Sequence, residues 1–224
     1  MYLKFGNWIF HYRNFLFPVF YFLLFLPSPK LILNEHHIVI NASLFFIITG
    51  ITIRIITIGF EYIVRGGHKR TIFADGLVTG GAYRICRHPM YLGNLMILLG
   101  FGIFANSFIF VFIIFPVFIF IYWAIIKAEE AYLSDKFGEK FEHYKQNSNT
   151  IIPSFNQIVP AFKNQTFNWR KVIYKEYNST FLHVSGLLVL SLYQMKIDFK
   201  LFSILFFICT IVYLTIKILK YREL

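Results

Sequence analysis

The chain is poor in charge, in acidic residues and in sulfur. Only 15% of its 224 residues are charged, and Asp and Glu together number 11. Soluble domains carry about 25% charged residues. Hydrophobic residues make up 57% of the chain and the mean hydropathy is +0.60. A folded soluble monomer of this length could not hide so much apolar surface. An ordinary soluble enzyme, a disordered segment and a fibrous repeat are therefore excluded, and a polytopic membrane protein is indicated. The two cysteines, Cys86 and Cys209, form no Cys-x-x-Cys pair and no metal-ligand spacing. That argues against a disulfide scaffold, and no metal site is expected. The start, MYLKFGNWIFHYR, lacks a short apolar core followed by a small-residue cleavage site, so no removable signal peptide is expected. Internal repeats and low-complexity tails are absent from the sequence.

What is abundant is cation and phenylalanine. Lys and Arg number 22, for a net charge of +11, and Phe numbers 29. In a soluble protein such a charge would suggest nucleic acid. Here it is spread over loops and carries no nucleic-acid motif, so no nucleic-acid partner is expected. Membrane proteins concentrate Lys and Arg in cytoplasmic loops. Phe, Ile, Lys, Asn and Tyr are abundant together, as AT-rich coding would also give, so the Phe excess carries no special meaning.

A transmembrane helix needs roughly 20 apolar residues. The expected spans run from about Asn14 to Leu33, interrupted by Pro18, Pro27 and Pro29 and so kinked or ending early near Leu26, then from Ile38 to Phe60, Pro89 to Ala105 and Phe108 to Ile126, with Pro116 inside the last as an expected kink. Asn106-Ser107 makes the third and fourth a tight helical hairpin. Two more candidates follow, a short one from about Thr180 to Tyr193 and a longer one from Phe199 to Leu219. The expected fold is all-α, a polytopic membrane protein of about six transmembrane helices (five to six) with a helical hairpin. With the N-terminus inside, the outer loops hold only Lys30, Lys196 and Lys200, and Arg54 lies within a span. The other 18 of the 22 cations face the cytoplasm, so both termini are expected there, in a bacterial inner membrane or its equivalent. Three segments are expected: residues 1–76 with the first helices and a basic loop, residues 77–153 with the motifs below, and a C-terminal extension, 154–224.

Two motifs carry chemistry. In LVTGGAYRICRHPMYLGNLMILLG, Leu77 to Gly100, Arg84, Arg87 and His88 stand at a membrane edge. Pro89 fits the first position of the helix that follows. That helix start offers free N–H groups and a positive dipole end, suited to a carboxylate or phosphate. A positive-inside anchor with a Tyr belt is the alternative. In KAEEAYLSDKFGEKFEHY, Lys127 to Tyr144, Glu129 and Glu130 lie just past the apolar run. Leu133, Phe137, Phe141 and Tyr144 recur on one face, which can lie on the membrane or cover a site. Gly138 is expected to break this helix after Phe137. Adjacent carboxylates do not share a helix face, so one is expected to point inward and the other into solvent. The hairpin brings both motifs to one membrane face, where cations beside carboxylates suit a zwitterionic ligand. Arg54 is an intramembrane charge that either snorkels to the interface or binds substrate or pairs with Glu61.

The string GAYRICRHPMYLG, followed after the hairpin by EEAYLSDKFGEKFEHY and Pro153, resembles the isoprenylcysteine carboxyl methyltransferase and phospholipid methyltransferase superfamily. The resemblance covers about Leu77 to Pro153. It implies an integral-membrane enzyme using S-adenosylmethionine, with a cytoplasmic cofactor pocket and a lipid or prenylated substrate drawn from the bilayer. It also implies that Tyr83, His88, Pro89, Tyr91, Leu92, Gly93, Glu129 and Glu130 sit at the cofactor. Leu133, Phe137 and Tyr144 would be supporting packing. Arg84 and Arg87 join the set as partners for the cofactor's carboxylate, and Glu129, Glu130 and His88 are the candidates for catalysis. Two departures stand out. Gly81-Ala82-Tyr83 replaces the frequent Gly-Pro-Tyr, and Asn149-Thr150 stands where relatives often carry Pro-Arg. Two rival readings remain, a membrane NADPH-dependent sterol-type reductase and a non-enzymatic transporter or scaffold subunit.

Overall fold

The computed structural model describes residues 2–30, 36–61, 72–194 and 196–222. Part of the expected basic loop (Arg65, Lys69 and Arg70) and the expected span residues Leu31 to Leu33 lie outside the described residues. Every regular element among them is helical, and the only β pairing is an isolated bridge between Lys30 and Ser107. The all-α expectation is borne out. Three described helical stretches are long and apolar enough to cross a membrane: His37–Phe60, Phe110–Phe137 and Phe199–Arg222. Pro89–Phe104 is apolar but shorter, and its 16 residues reach about 24 Å at about 1.5 Å per residue. The chain forms two compact units, Met1–Thr166 and Phe167–Leu224.

In the first unit, helix α1 spans Tyr2–Phe22 and tightens into a 3-10 turn at Leu23–Phe25. It begins a dozen residues before the expected start near Asn14. The extra turns form because their apolar face is covered. Ile9 and Phe10 are buried with Ile121 and Ile125, and Gly6 lies so close to the backbone of Ala124 that a Cβ would collide with its carbonyl oxygen. The chain leaves the helix at Leu26, which is extended (ψ 136°), the conformation favoured before proline.

Helix α2 (His36–Phe60) packs along α4 (Pro89–Phe104), the most extensive helix pair in the unit. Small residues let their backbones approach. A Cβ on Gly50 would stand 2.5 Å from the Gly93 carbonyl oxygen, and one on Gly100 would stand 2.9 Å from that of Ser43. Between α2 and α4 lies the one-turn helix α3 (Ala82–Ile85).

Past the Asn106-Ser107 turn, the chain makes one wide π turn, Phe110–Ile114, and continues as α5, Phe115–Phe137. This π turn lies just before Pro116, where the sequence predicts a kink: proline has no N–H to donate, and the wider turn absorbs the gap. The helix runs on past Ile126 to Phe137. Gly138, at φ 53°, ends it as expected, because the left-handed region is open to glycine without strain. Helix α6, Glu139–Gln146, follows, and α7, Ile158–Phe162, packs against α3.

The second unit is a hairpin of α8 (Trp169–Tyr193) and α9 (Phe199–Arg222). The expected short fifth span is the apolar second half of a 25-residue helix. Its charged first half is helical because the Asn168 side chain accepts from Lys171 N at 2.8 Å, satisfying one of the free N–H groups of the first turn.

Candidate functional site

The start of α4 and the end of α5 meet, as the hairpin expectation requires. Arg87 and His88, just before α4, face Glu129 and Glu130 on the last turns of α5. The Arg87 side chain donates from Nε to Glu130 Oε1 at 2.8 Å, from Nη1 to Lys145 O at 3.0 Å and also to Ser148 O, and from Nη2 to Thr150 Oγ1 at 2.7 Å. The guanidinium is buried and tied to protein acceptors on three sides. The loop after α6 that supplies these acceptors is itself anchored to the motif backbone. Arg87 N donates to Asn149 O at 2.8 Å, and His88 N to Thr150 O at 3.0 Å. Asn149-Thr150, the departure from the family pattern, thus supplies carbonyls and a hydroxyl to this part of the chain.

His88 stands between the two carboxylates. Its Nδ1 is 3.6 Å from Glu129 Oε2 and its Nε2 is 3.4 Å from Glu130 Oε1. Glu129 is 4% exposed and Glu130 5% exposed. The expectation that one of the pair is solvated is therefore corrected. The first turn of α4 and the loop 145–150 cover this end of α5 from two directions, so adjacent side chains are both enclosed. Tyr91 Oη donates to Glu129 Oε1 at 2.5 Å, and its ring stacks on His88 at 5.6 Å and 11°. Pro89 occupies the first turn of α4 as expected. Lys127 Nζ, half exposed, lies 3.8 Å from Glu130 Oε2.

Around this centre the other expected residues take distinct positions. Leu133 and Tyr144 are buried together with Ala74 and Phe141, and Phe137 packs against them, so the apolar face of α5–α6 covers protein. Tyr144 Oη donates to Tyr83 O at 2.6 Å, tying α6 to α3. Arg84 points the other way, donates to Gln157 Oε1 at 2.9 Å, and lines a cleft of about 890 Å³ with Leu77, Thr79, Lys140, His143 and Tyr144. Gly93 and Leu92 follow on α4, and Gly93 is the contact point with α2, where a Cβ would meet the Arg54 side chain at 2.8 Å. Arg54 is buried at 8% exposure and donates to Asn94 Oδ1. It therefore lies against α4, one turn beyond Tyr91, rather than reaching out to an interface.

The sequence alone did not single out Asn94 or Ser148, and marked Thr150 only as a departure from the family pattern, not as a partner of Arg87. Asn94 had no signal beyond being a polar residue in an apolar run. Ser148 and Thr150 lie some 60 residues from Arg87, and no periodicity links them. Cys86, beside this cluster, is buried, and that burial pushes its thiol up to about 12 despite the lowering effect of the His88 backbone N–H and the Arg87 charge.

These features define an α-helical membrane protein with a buried acid–base cluster at one end of a glycine-packed helix pair. Residues 38–140 match the phospholipid methyltransferase family. That family belongs to the isoprenylcysteine and phospholipid methyltransferase superfamily, the one that the motifs resemble. The matched stretch contains Arg54, the Arg-His-Pro stretch and the Glu pair, and Tyr144 lies beyond it. The chain is also similar to the cobalt-zinc-cadmium resistance protein CzcN of Cupriavidus metallidurans, 35% identical over 77 residues, 34% of this chain and 35% of that protein. It resembles the nickel-cobalt-cadmium resistance protein NccN of Alcaligenes xylosoxydans xylosoxydans to the same degree, over 34% of this chain and 36% of that protein. The similarity thus spans about a third of the length of these curated relatives. No solved structure matches the chain.

Proposed function

We propose that this protein is a membrane-embedded methyltransferase that moves a methyl group from S-adenosylmethionine to a lipid or lipidated acceptor. The observation that carries this reading is the cluster at the start of α4 formed by the buried Glu129, Glu130, His88 and Arg87 with the half-buried Tyr91. The family matched by residues 38–140 supports it from an independent direction.

The residues present fit the cofactor's chemistry. A ligand carrying a sulfonium and an ammonium suits two enclosed carboxylates beside an aromatic ring. The polar cleft lined by Arg84 and Tyr144 suits a carboxylate and hydroxyl groups. Tyr83, His88, Pro89, Tyr91, Leu92, Gly93, Glu129 and Glu130 are assigned to holding it. Leu133, Phe137 and Tyr144 support them. Arg87 is assigned the role of positioning Glu130, since its own donors are engaged by protein. When bound, the cofactor supplies a methyl group already activated on a sulfonium.

The remaining work is alignment and proton handling. The chain aligns donor and nucleophile. A carboxylate acceptor needs no base. An amine or hydroxyl acceptor must lose a proton, and Glu129, Glu130 and His88 are the groups within the cluster able to take it. Arg54, buried beside Gly93 one turn deeper, is assigned to the acceptor side. The apolar surfaces of the spans admit the acceptor's tail from the bilayer. The charge count supports a cytoplasmic cluster, with both termini on that side.

The test is incubation of the reconstituted full chain with methyl-labelled S-adenosylmethionine and bilayer lipids. Label in the lipid extract, lost in Glu129→Ala, is the expected result. Label confined to water-soluble products, or binding of NADPH but not of S-adenosylhomocysteine, would overturn the reading.

A further inference from the structure

The second unit carries a cationic and aromatic cluster that methyl transfer does not use. Helices α8 and α9 run antiparallel, so the first turns of α8 lie beside the last turns of α9. Tyr177 stacks on Tyr213 at 5.4 Å, and Lys220 Nζ donates to Tyr174 O at 2.9 Å while lying 4.9 Å over the Tyr177 ring. These contacts fix one ammonium at the mouth of a cleft of about 540 Å³. Leu214 and Ile218 form its apolar floor, and Lys217 and Arg222 stand exposed at its rim.

Cations outnumber carboxylates six to two in these stretches of the sequence: Arg170, Lys171 and Lys175 of α8 and the three cations of α9, against Glu176, which is buried, and Glu223, which follows Arg222. Tyrosine is the residue that settles at the boundary between hydrocarbon and headgroups. The tyrosines therefore set the depth of this end, with the cations at headgroup level. No described residue of α9 is buried, and the helix is long and apolar enough to cross a membrane.

We infer that the cleft between the start of α8 and the end of α9 binds an anionic phospholipid, with Lys217, Lys220 and Arg222 on the headgroup phosphate and Leu214 and Ile218 along the acyl chain. Charge complementarity selects an anion. The apolar floor, on a helix apolar enough to cross a membrane, selects an amphiphile over a free phosphate. Basic pockets between transmembrane helices at a leaflet surface have this chemistry. The site lies outside the residues assigned to methyl transfer, so the two readings stand or fall separately.

The test uses the full chain in a neutral detergent, titrated with dioleoylphosphatidylglycerol, dioleoylphosphatidylcholine or glycerol 3-phosphate. Bound lipid is counted by native mass spectrometry, and thermal midpoints are read in parallel. Phosphatidylglycerol is expected to be retained and to raise the midpoint, and the other two are not. Lys217→Gln/Arg222→Gln removes two exposed charges and should weaken phosphatidylglycerol binding about thirtyfold, from about 1 kcal/mol per cation. Lys4→Gln, an exposed cation on α1, should leave it unchanged. Equal binding by the double variant would overturn the site. So would equal loss in Lys4→Gln, which would mean diffuse charge attraction. An equal shift with glycerol 3-phosphate would assign the cleft to a soluble anion and overturn the lipid.

Discussion

Arg87 Nε and Glu130 Oε1 lie 2.8 Å apart, and both side chains are almost wholly enclosed. Forty-three residues separate them in the chain, and a helical hairpin closes that distance. Removing one partner of an enclosed ion pair leaves the other charge without compensation, at a cost of about 3–5 kcal/mol. Arg87→Met should therefore lower the thermal midpoint in detergent far more than a surface change such as Lys4→Gln. Arg87→Lys should fall between, because an ammonium cannot reproduce the fork that meets Glu130, Lys145 O and Thr150 together. A variant as stable as the wild type would show that the pair does not hold this end of the molecule together.

Tyr91 Oη donates to Glu129 at 2.5 Å. A hydrogen bond to a charged group contributes about 1.5–3 kcal/mol. Tyr91→Phe keeps the ring stacked on His88 and removes only the hydroxyl. It should weaken S-adenosylhomocysteine binding by roughly tenfold or more, with the fold intact by circular dichroism. Calorimetric titration measures this, and unchanged affinity would release Glu129 from the cofactor assignment.

Gly50 touches the α4 backbone. A Cβ there would stand 2.5 Å from the Gly93 carbonyl oxygen and 2.9 Å from Ile97 N, neither of which can rotate away. Gly50→Ala should force α2 and α4 apart and cost about 1–3 kcal/mol. Gly76, with nothing near its Cβ position, serves as the control, and Gly76→Ala should leave the midpoint unchanged. Thermal unfolding of the two variants side by side decides it.

Cys86 provides a pH readout. Burial raises its thiol to about 12, against about 8.5 for a free cysteine. The thiolate is the reactive form, so at pH 8 a maleimide should label Cys86 in the folded protein about 10³-fold more slowly than a free thiol. The sign for stability follows. Above about pH 8.5 the unfolded thiol loses its proton while the folded one keeps it. Alkaline pH therefore draws the equilibrium toward the unfolded chain, and a Cys86→Ala variant should lose that part of the pH dependence. Labelling in a Cys209→Ser background isolates the site, and fast labelling of native protein would contradict the burial.

Much of the helical layout was legible because hydropathy is local. The helices His36–Phe60, Pro89–Phe104 and Phe199–Arg222 lie on the apolar runs read at Ile38–Phe60, Pro89–Ala105 and Phe199–Leu219, and the stop at Gly138 follows from one residue's freedom at positive φ. The start of the first helix was read a dozen residues too late because its opening turns are mixed in character and fold on Ala124 and Ile125, far along the chain. The short fifth span was read without its charged first half, since a hydropathy count stops where charge begins.

The sequence by itself indicated a helical protein made for a bilayer, with a lopsided distribution of cations and two motifs placed to meet at one end of a hairpin. Those are sums over neighbouring residues, and a sequence displays them directly. Only the tertiary structure decided that both carboxylates of the Glu pair are enclosed, that Arg87 is tied to the loop at Ser148 and Thr150, and that Arg54 turns inward to Asn94. Each depends on groups tens of residues apart meeting within hydrogen-bond distance, which no local pattern encodes.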